Sequence, residues 1–341
     1  MRAPRVGLVL SALSVSLLVA VSGCAGAPAS SPAPTASASI GATSPEAAAF
    51  PVDVTSCGFT ATLPAAPSRA VTLNQAATEV ALALGVEGQL AGTAYLDDAV
   101  PEKWQAAYES VPVISEKYPD RETLLAAEPD FLYAAFGSAF TAEVAGTQEE
   151  LATAGIPSLL SPFGCTDKAL RAPSSFESVW DEIDSVATAF GVPERAAKVR
   201  EEQQATLGQL NDQAAGKDVR IFWFDSGDKA AFAGVGSGGP QLVISAVGAT
   251  NVFADIEGSW ADVSWEQVLA SDPDVIVLAD ASWSTAAAKR EQLENDPVLK
   301  DLAAVKAGNF VTIPFSESTP GIRLVDGASH LAEQLTALNL S

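Results

Sequence analysis

The segments "ETLLAAEPDFLYA" from Glu122 and "EQVLASDPDVIVLA" from Glu266 spell one pattern twice: a glutamate, a leucine three residues on, Pro-Asp seven residues on, then an unbroken apolar run. Each copy predicts a short helix with the glutamate in its first turn, where negative charge meets the positive end of the helix dipole. Proline then stops the helix and the apolar run forms a buried strand. A chain that carries this unit twice is constrained to build two similar α/β bodies.

The surroundings of each copy agree. Around the first, "RAVTL" reads as a strand, "ATEVALALG" as a helix closed by Gly85 and "LAGTAY" as the next strand. "PDFLYAAF" and "IPSLLS" follow as strands separated by the helical pattern "AEVAGTQEELATAG". Alternation resumes at "VRIFWF" and runs through "PQLVISAVG", "PDVIVLAD" and "NFVTIP" to a closing helix from about Gly321 to Leu338. Between the two halves, residues 174–215 hold no strand-like run; Phe176, Val179, Ile183 and Val186 fall at helical spacing behind the capping residues Ser174 and Ser175, and "GVP" breaks the helix. Its second part is too polar for a core helix and suits a bridge between two bodies; some 20 residues span about 30 Å. The predicted class is α/β, with two Rossmann-like lobes that each carry a central sheet: an N-terminal lobe over 51–173, a helical connector over 174–216 that includes the long interdomain helix, and a C-terminal lobe over 217–341.

The leading residues predict export. Arg2 and Arg5 precede the apolar run "VGLVLSALSVSLLVAV", and small residues lead to a cysteine, so 1–23 reads as a signal peptide. An uncleaved anchor is the competing reading, because the run approaches the roughly 20 residues a span requires. "VSGC" resembles a bacterial lipobox, which implies cleavage before Cys24 and acyl chains on that cysteine. Residues 24–50, rich in Ala, Ser, Pro and Thr, then form a flexible tether that cannot order itself. Of the remaining cysteines, Cys57 and Cys165 most simply pair in an oxidising compartment; two separate buried thiols are the alternative.

Charge and residue supply exclude several functions. Lys plus Arg total 19 against 42 Asp plus Glu, a net charge of −23 that repels a phosphate backbone. The one histidine, His330, argues against a bare zinc or manganese site and against a serine hydrolase, and no G-x-S-x-G elbow is present. "GVGSGG" fits G-x-G-x-x-G only formally; an anion-friendly loop before a helix starting near Pro240 is the better reading.

The lipobox, "PSRAVTLNQAATEVALALGV", the two glutamate and Pro-Asp units, the intervening helix and "GGPQLVISAVGATNVFAD" together resemble the bacterial substrate-binding proteins of ABC importers for iron siderophores, haem and cobalamin, over roughly residues 65–338. The resemblance implies two lobes joined by one rigid helix, a ligand cleft between them, and a monomer that meets a permease dimer with its ATPase subunits. It also implies that Glu122 and Glu266, one on each lobe, dock onto permease arginines. "GTAYLDD", "PVISEKYPDRE", "SPFGC", "FWFDSGD", "GVGSGGPQ", "DASWSTA" and "VTIPFSESTPGIR" look closer to an actinobacterial branch assigned to a deazaflavin precursor, that of factor 420. The protein so implied is anchored by Cys24 at the outer face of the cytoplasmic membrane and has no cofactor beyond its transported ligand.

Loops after the strands supply the candidate cleft. From the first lobe come Asn74, Gln75, Thr78, Tyr95, Asp97, Lys117, Tyr118 and the loop from Phe136 to Phe140. From the second come Trp223, Asp225, the glycine loop with Ser237 and Gly238, Trp260, Trp283, Phe315, Ser316 and Arg323. Aromatic rings in polar loops suit a flat ligand, and Lys117 or Arg323 would select an anionic one. The alternative is a cell-surface enzyme on the same frame, working through cleft carboxylates such as Asp97 or Asp225.

Overall fold

The computed structural model describes residues 49–338 and 340. The signal peptide, Cys24 and the tether up to residue 48 lie outside the described residues. A two-stranded antiparallel hairpin comes first, β1 (Val52–Ser56) and β2 (Phe59–Leu63). Cys57 and Gly58 turn it with positive φ, 53° and 78°, the backbone that matches a two-residue loop to the twist of its strands.

The N-terminal sheet is parallel throughout. Its strands β3 (Ala70–Leu73), β4 (Leu90–Ala94), β5 (Val113–Ser115), β6 (Phe131–Ala134) and β7 (Ser158–Leu160) lie in the order β5-β4-β3-β6-β7. Helices α1 (Gln75–Ala83), α2 (Glu102–Glu109), α3 (Arg121–Ala126) and α4 (Gln148–Thr153) connect them. β3 and β6 are buried along their whole length, as apolar runs in a sheet covered on both faces must be. Winding reverses between β3 and β6, which places a crevice at their carboxyl ends. The helix expected over "AEVAGTQEELATAG" shrinks to α4. Gly146 takes a left-handed φ of 85°, and a reciprocal capping box between Thr147 and Glu150 starts the helix there.

The strandless stretch divides into α5 (Phe176–Phe190) and α6 (Pro193–Gln213); Gly191, at φ 75°, closes the first and Pro193 opens the second. α5 is not part of a bridge. It buries Val179, Ile183, Val186 and Phe190 in the N-terminal core, and its Glu182 accepts the Tyr133 hydroxyl at 2.7 Å. α6 does cross between lobes: Gln203 accepts the Trp180 indole N–H at 2.8 Å and donates to the Ile322 carbonyl at 2.7 Å.

The second sheet is mixed. β8 (Arg220–Ser226), β9 (Ala231–Gly234), β10 (Thr250–Asn251), β11 (Trp260–Val263), β12 (Val275–Asp280) and β13 (Phe310–Pro314) follow the order β11-β9-β8-β12-β13, with β10 beside β8. β9 and β11 run antiparallel. Helices α7 (Gly239–Ala246), α8 (Trp265–Ser271), α9 (Ala286–Asn295), α10 (Ala303–Ala307) and α11 (Leu324–Leu338) complete the lobe.

The doubled motif is equivalent in three dimensions. Glu122 and Glu266 both stand second in their helices, α3 and α8, behind the side-chain caps Asp120 and Ser264. The aspartates of the two Pro-Asp pairs each accept the backbone N–H of the arginine at the start of the neighbouring strand, Asp130 from Arg69 at 3.0 Å and Asp274 from Arg220 at 2.8 Å. Each aspartate N–H returns to that arginine's carbonyl, at 3.2 and 2.9 Å. The motif therefore sets the register of two neighbouring strands in each lobe.

Candidate ligand cleft

A cavity of about 770 Å³ opens between the lobes at the carboxyl ends of β6 and β7. One wall is the loop after β6, with Phe136 and Ser138, together with the segment 161–174; the other carries Ser237, Ser259, Trp260 and Thr319. The two loops of the first wall meet backbone to backbone. Gly137 N–H donates to the Gly164 carbonyl at 3.0 Å, and at Gly164 any Cβ would collide with the Ala135 carbonyl oxygen.

Aromatic and hydroxyl side chains dominate the lining. Among the described residues its one charged member is Arg171 and no carboxylate lines the cavity, in a chain of net charge −23. The Arg171 Nε donates to the Cys165 carbonyl at 2.7 Å. Trp260 lines the cavity, and its indole Nε1 is buried with no hydrogen-bond partner among the described residues.

Of the residues expected from sequence, Phe136, Ser237 and Trp260 line this cavity. Tyr118 stands just behind: its hydroxyl lies 2.8 Å from Ser138 Oγ and donates to Asn74 Oδ1 at 3.0 Å, while Tyr95 packs edge-on against its ring at 4.6 Å. Gln75 and Thr78 turn inward. The Gln75 Oε1 accepts the N–H groups of Asp97 and Asp98 at 3.0 and 3.2 Å, and the Thr78 hydroxyl meets those of Thr72 and Thr93. Lys117 is exposed and apart from the lining. Trp283, 55% exposed, and Phe315 form an edge-to-face pair at 5.4 Å, also outside it.

Four expectations require correction. Trp223 is wholly buried in β8 beneath Gly234, where an added Cβ would come within 3.0 Å of its Cγ; it is a core residue. Asp225 is buried beside Lys289, and burial pushes its carboxyl up and the ammonium down, with attraction between the two opposing each shift. The glycine loop with Gly238 is no open anion cradle: Gly236 and Gly239 face the carbonyls of Ala254 and Ser318, and Gly238 at φ 90° backs onto Ser259. Its glycines answer to crowding.

Arg323 is the largest correction. It is 6% exposed and enclosed by Glu79 at 3.4 Å, Glu317, Asp326 at 3.8 Å and the Ser316 hydroxyl at 2.9 Å. Its charge is neutralised within the protein. Burial pushes the Glu79 carboxyl up to about 7 against the pull of Arg323. His330 Nδ1 lies 2.7 Å from Glu317 Oε2, a hydrogen bond that raises the imidazole. Around this cluster the lobes form a seam: Lys103 meets Asp326 at 2.8 Å, Ser316 N–H donates to Asp98 Oδ2 at 2.8 Å, and the Ser282 hydroxyl donates to the Asp97 carbonyl at 3.2 Å. None of these seam residues lines the cavity.

Sequence reasoning missed Arg171, Ser259 and Thr319. For Arg171 a signal existed: it is a cation six residues beyond a cysteine expected to be held in place, and cations are scarce here. Glu122 and Glu266 are exposed. Cys57 and Cys165 form a disulfide, with Cα atoms 5.2 Å apart. Among the described residues no group of three or more His, Cys, Asp or Glu is placed to hold a metal ion.

Comparison with known proteins supplies the context. Residues 71–317 match the family described as periplasmic binding protein. The vitamin B12-binding protein of Yersinia pestis is 28% identical over 219 residues, 64% of this chain and 72% of that protein. A periplasmic binding protein from Veillonella parvula superposes with a TM-score of 0.73 at 29% identity, covering 84% of this chain and 97% of the other. An ABC-type Fe3+-hydroxamate transport system protein from Saccharomonospora viridis gives 0.69 at 23% identity, over 84% and 99%, a likeness of fold.

Proposed function

The chain belongs to the periplasmic binding protein family, and from that premise we propose that it is the extracytoplasmic solute-binding lipoprotein of an ABC importer, anchored through Cys24. It captures a ferric siderophore, cobalamin or a deazaflavin-precursor ligand and delivers it unchanged to a permease dimer served by ATPase subunits. The cavity carries this reading: about 770 Å³, walled by both lobes, lined by aromatic rings and hydroxyls with, among the described residues, one cation and no carboxylate. Such a volume suits a cofactor-sized ligand. Binding without turnover is supported by the place of Asp97 and Asp225, the carboxylates an enzyme on this frame would use, both outside the lining. Glu122 and Glu266, exposed at matched positions on α3 and α8, are the permease contacts of this proposal.

Native mass spectrometry of the full chain purified from its source tests the reading. A single bound metallated or flat aromatic compound, recovered intact after incubation, is the expected result. Conversion of that compound by the purified protein would overturn the proposal in favour of an enzyme.

A further inference from the structure

The hairpin β1–β2 precedes residue 71, where the match to the family begins, yet a covalent bond joins it to the cleft. Cys57 sits at the turn with φ 53°, a backbone that L residues rarely adopt, and is bridged to Cys165. The other turn residue, Gly58, faces Leu170: a Cβ there would come within 3.3 Å of Leu170 Cδ1. The segment 161–174 contains no strand or α-helix, only a single 3-10 turn at Lys168–Leu170. Its position is set by Ser161 N–H to the Ala134 carbonyl at 2.8 Å, by the contact of Gly164 with Gly137, and by the hairpin. This segment carries Arg171. With Nε spent on the Cys165 carbonyl, the two Nη groups have no partner among the described residues. The free edge of a guanidinium binds two oxygens of one oxyanion.

We propose that the Cys57–Cys165 bridge is part of the recognition apparatus: by fixing the Cys165 carbonyl it holds Arg171 at the cleft, where the guanidinium selects ligands bearing a carboxylate or phosphate over uncharged ligands with the same aromatic body. The bridge cysteines are positioning residues and Arg171 is the contact. This rests on the reading of the cavity as the ligand site.

Riboflavin and flavin mononucleotide provide the test, because they share one flat ring system and differ by a phosphate. Equilibrium dialysis with the full chain in detergent, well below the melting temperature of the weakest variant, gives the ratio of their affinities. The intact protein binds the mononucleotide at least about tenfold more tightly. Arg171→Gln brings the ratio near one, and so does the double change Cys57→Ser/Cys165→Ser, while riboflavin affinity holds within about threefold. Combining all three changes costs no further selectivity; a bridge acting only on stability would leave the double serine variant at the ratio of the intact protein. Arg171→Lys retains part of the preference. Loss of the ratio in Arg171→Gln but not in the double serine variant overturns the role of the bridge. Equal binding of the two flavins by the intact protein, or binding of neither, overturns the selection by Arg171. Native mass spectrometry of the same preparation then separates the two ideas: a different co-purified ligand leaves the cleft reading standing.

Discussion

Arg323 of the C-terminal lobe lies 3.4 Å from Glu79 of α1, and both side chains are almost entirely out of solvent. The pair closes one side of the interlobe junction, with Glu317 and Ser316 completing the cage around the guanidinium.

Removing that cation leaves Glu79 buried without a counter-charge and Glu317 with His330 alone. Arg323→Met is expected to destabilise the protein by about 3–5 kcal/mol in urea unfolding, and adding Glu79→Gln to recover part of the loss. Affinity for the co-purified ligand, measured on the folded protein, changes less than about threefold. A large affinity loss at unchanged stability would return Arg323 to the ligand site.

The pH dependence has a definite sign. Burial raises the Glu182 carboxyl from 4.5 to about 7, so between these values the folded state holds a proton that the unfolded state has released. Stability therefore rises as pH falls from about 7 to 4.5 and levels off below. His330 acts in the same direction: its raised pKa adds stability that is complete below its ordinary value of 6.5 and is lost as pH climbs through the raised one. Glu182→Gln, which keeps an oxygen to accept from Tyr133, should flatten this slope by an amount on the order of 3 kcal/mol across the window. Denaturant midpoints at intervals of half a pH unit measure it.

Trp260 lines the cleft and carries a buried indole N–H with no partner among the described residues. Trp260→Phe keeps most of the stacking surface and deletes the donor. A three- to tenfold loss of affinity for the co-purified ligand is expected, at unchanged melting temperature, in line with one hydrogen bond of about 0.5–1.5 kcal/mol. An unchanged dissociation constant would remove the N–H from the ligand's contacts.

Glu122→Lys combined with Glu266→Lys should abolish uptake by cells while ligand affinity stays within about twofold. Both residues stand on short exposed helices away from the cavity lining. If affinity fell with uptake, these glutamates would belong to ligand recognition and not to docking.

Much of the fold was legible because its signals are local. Apolar runs such as "PDVIVLAD", the break at "GVP" and the doubled Pro-Asp unit each determine their own backbone, and the strands and helices stand where those signals put them. The role of α5 was less plain, since a helix that packs on a sheet and one that crosses between lobes both show apolar spacing. The cleft was legible only in part. Phe136, Ser237 and Trp260 could be named because loops after strands converge there. Arg323 misled because Glu79 lies 244 residues away and only three-dimensional packing brings it to the arginine, while Glu317 and Asp326, close by in sequence, carry no sign that they turn inward with it. Trp223 misled because a tryptophan inside a strand and one at its end look alike in sequence.

The seam through Lys103, Asp98, Asp97 and Arg323 shares no residue with the cavity lining. On the proposed reading of the cavity, a ligand leaving past Phe136 and Trp260 would touch none of the residues that make those bonds. That reading makes exchange a matter of a doorway's width, set at the doorposts and apart from what keeps the house standing.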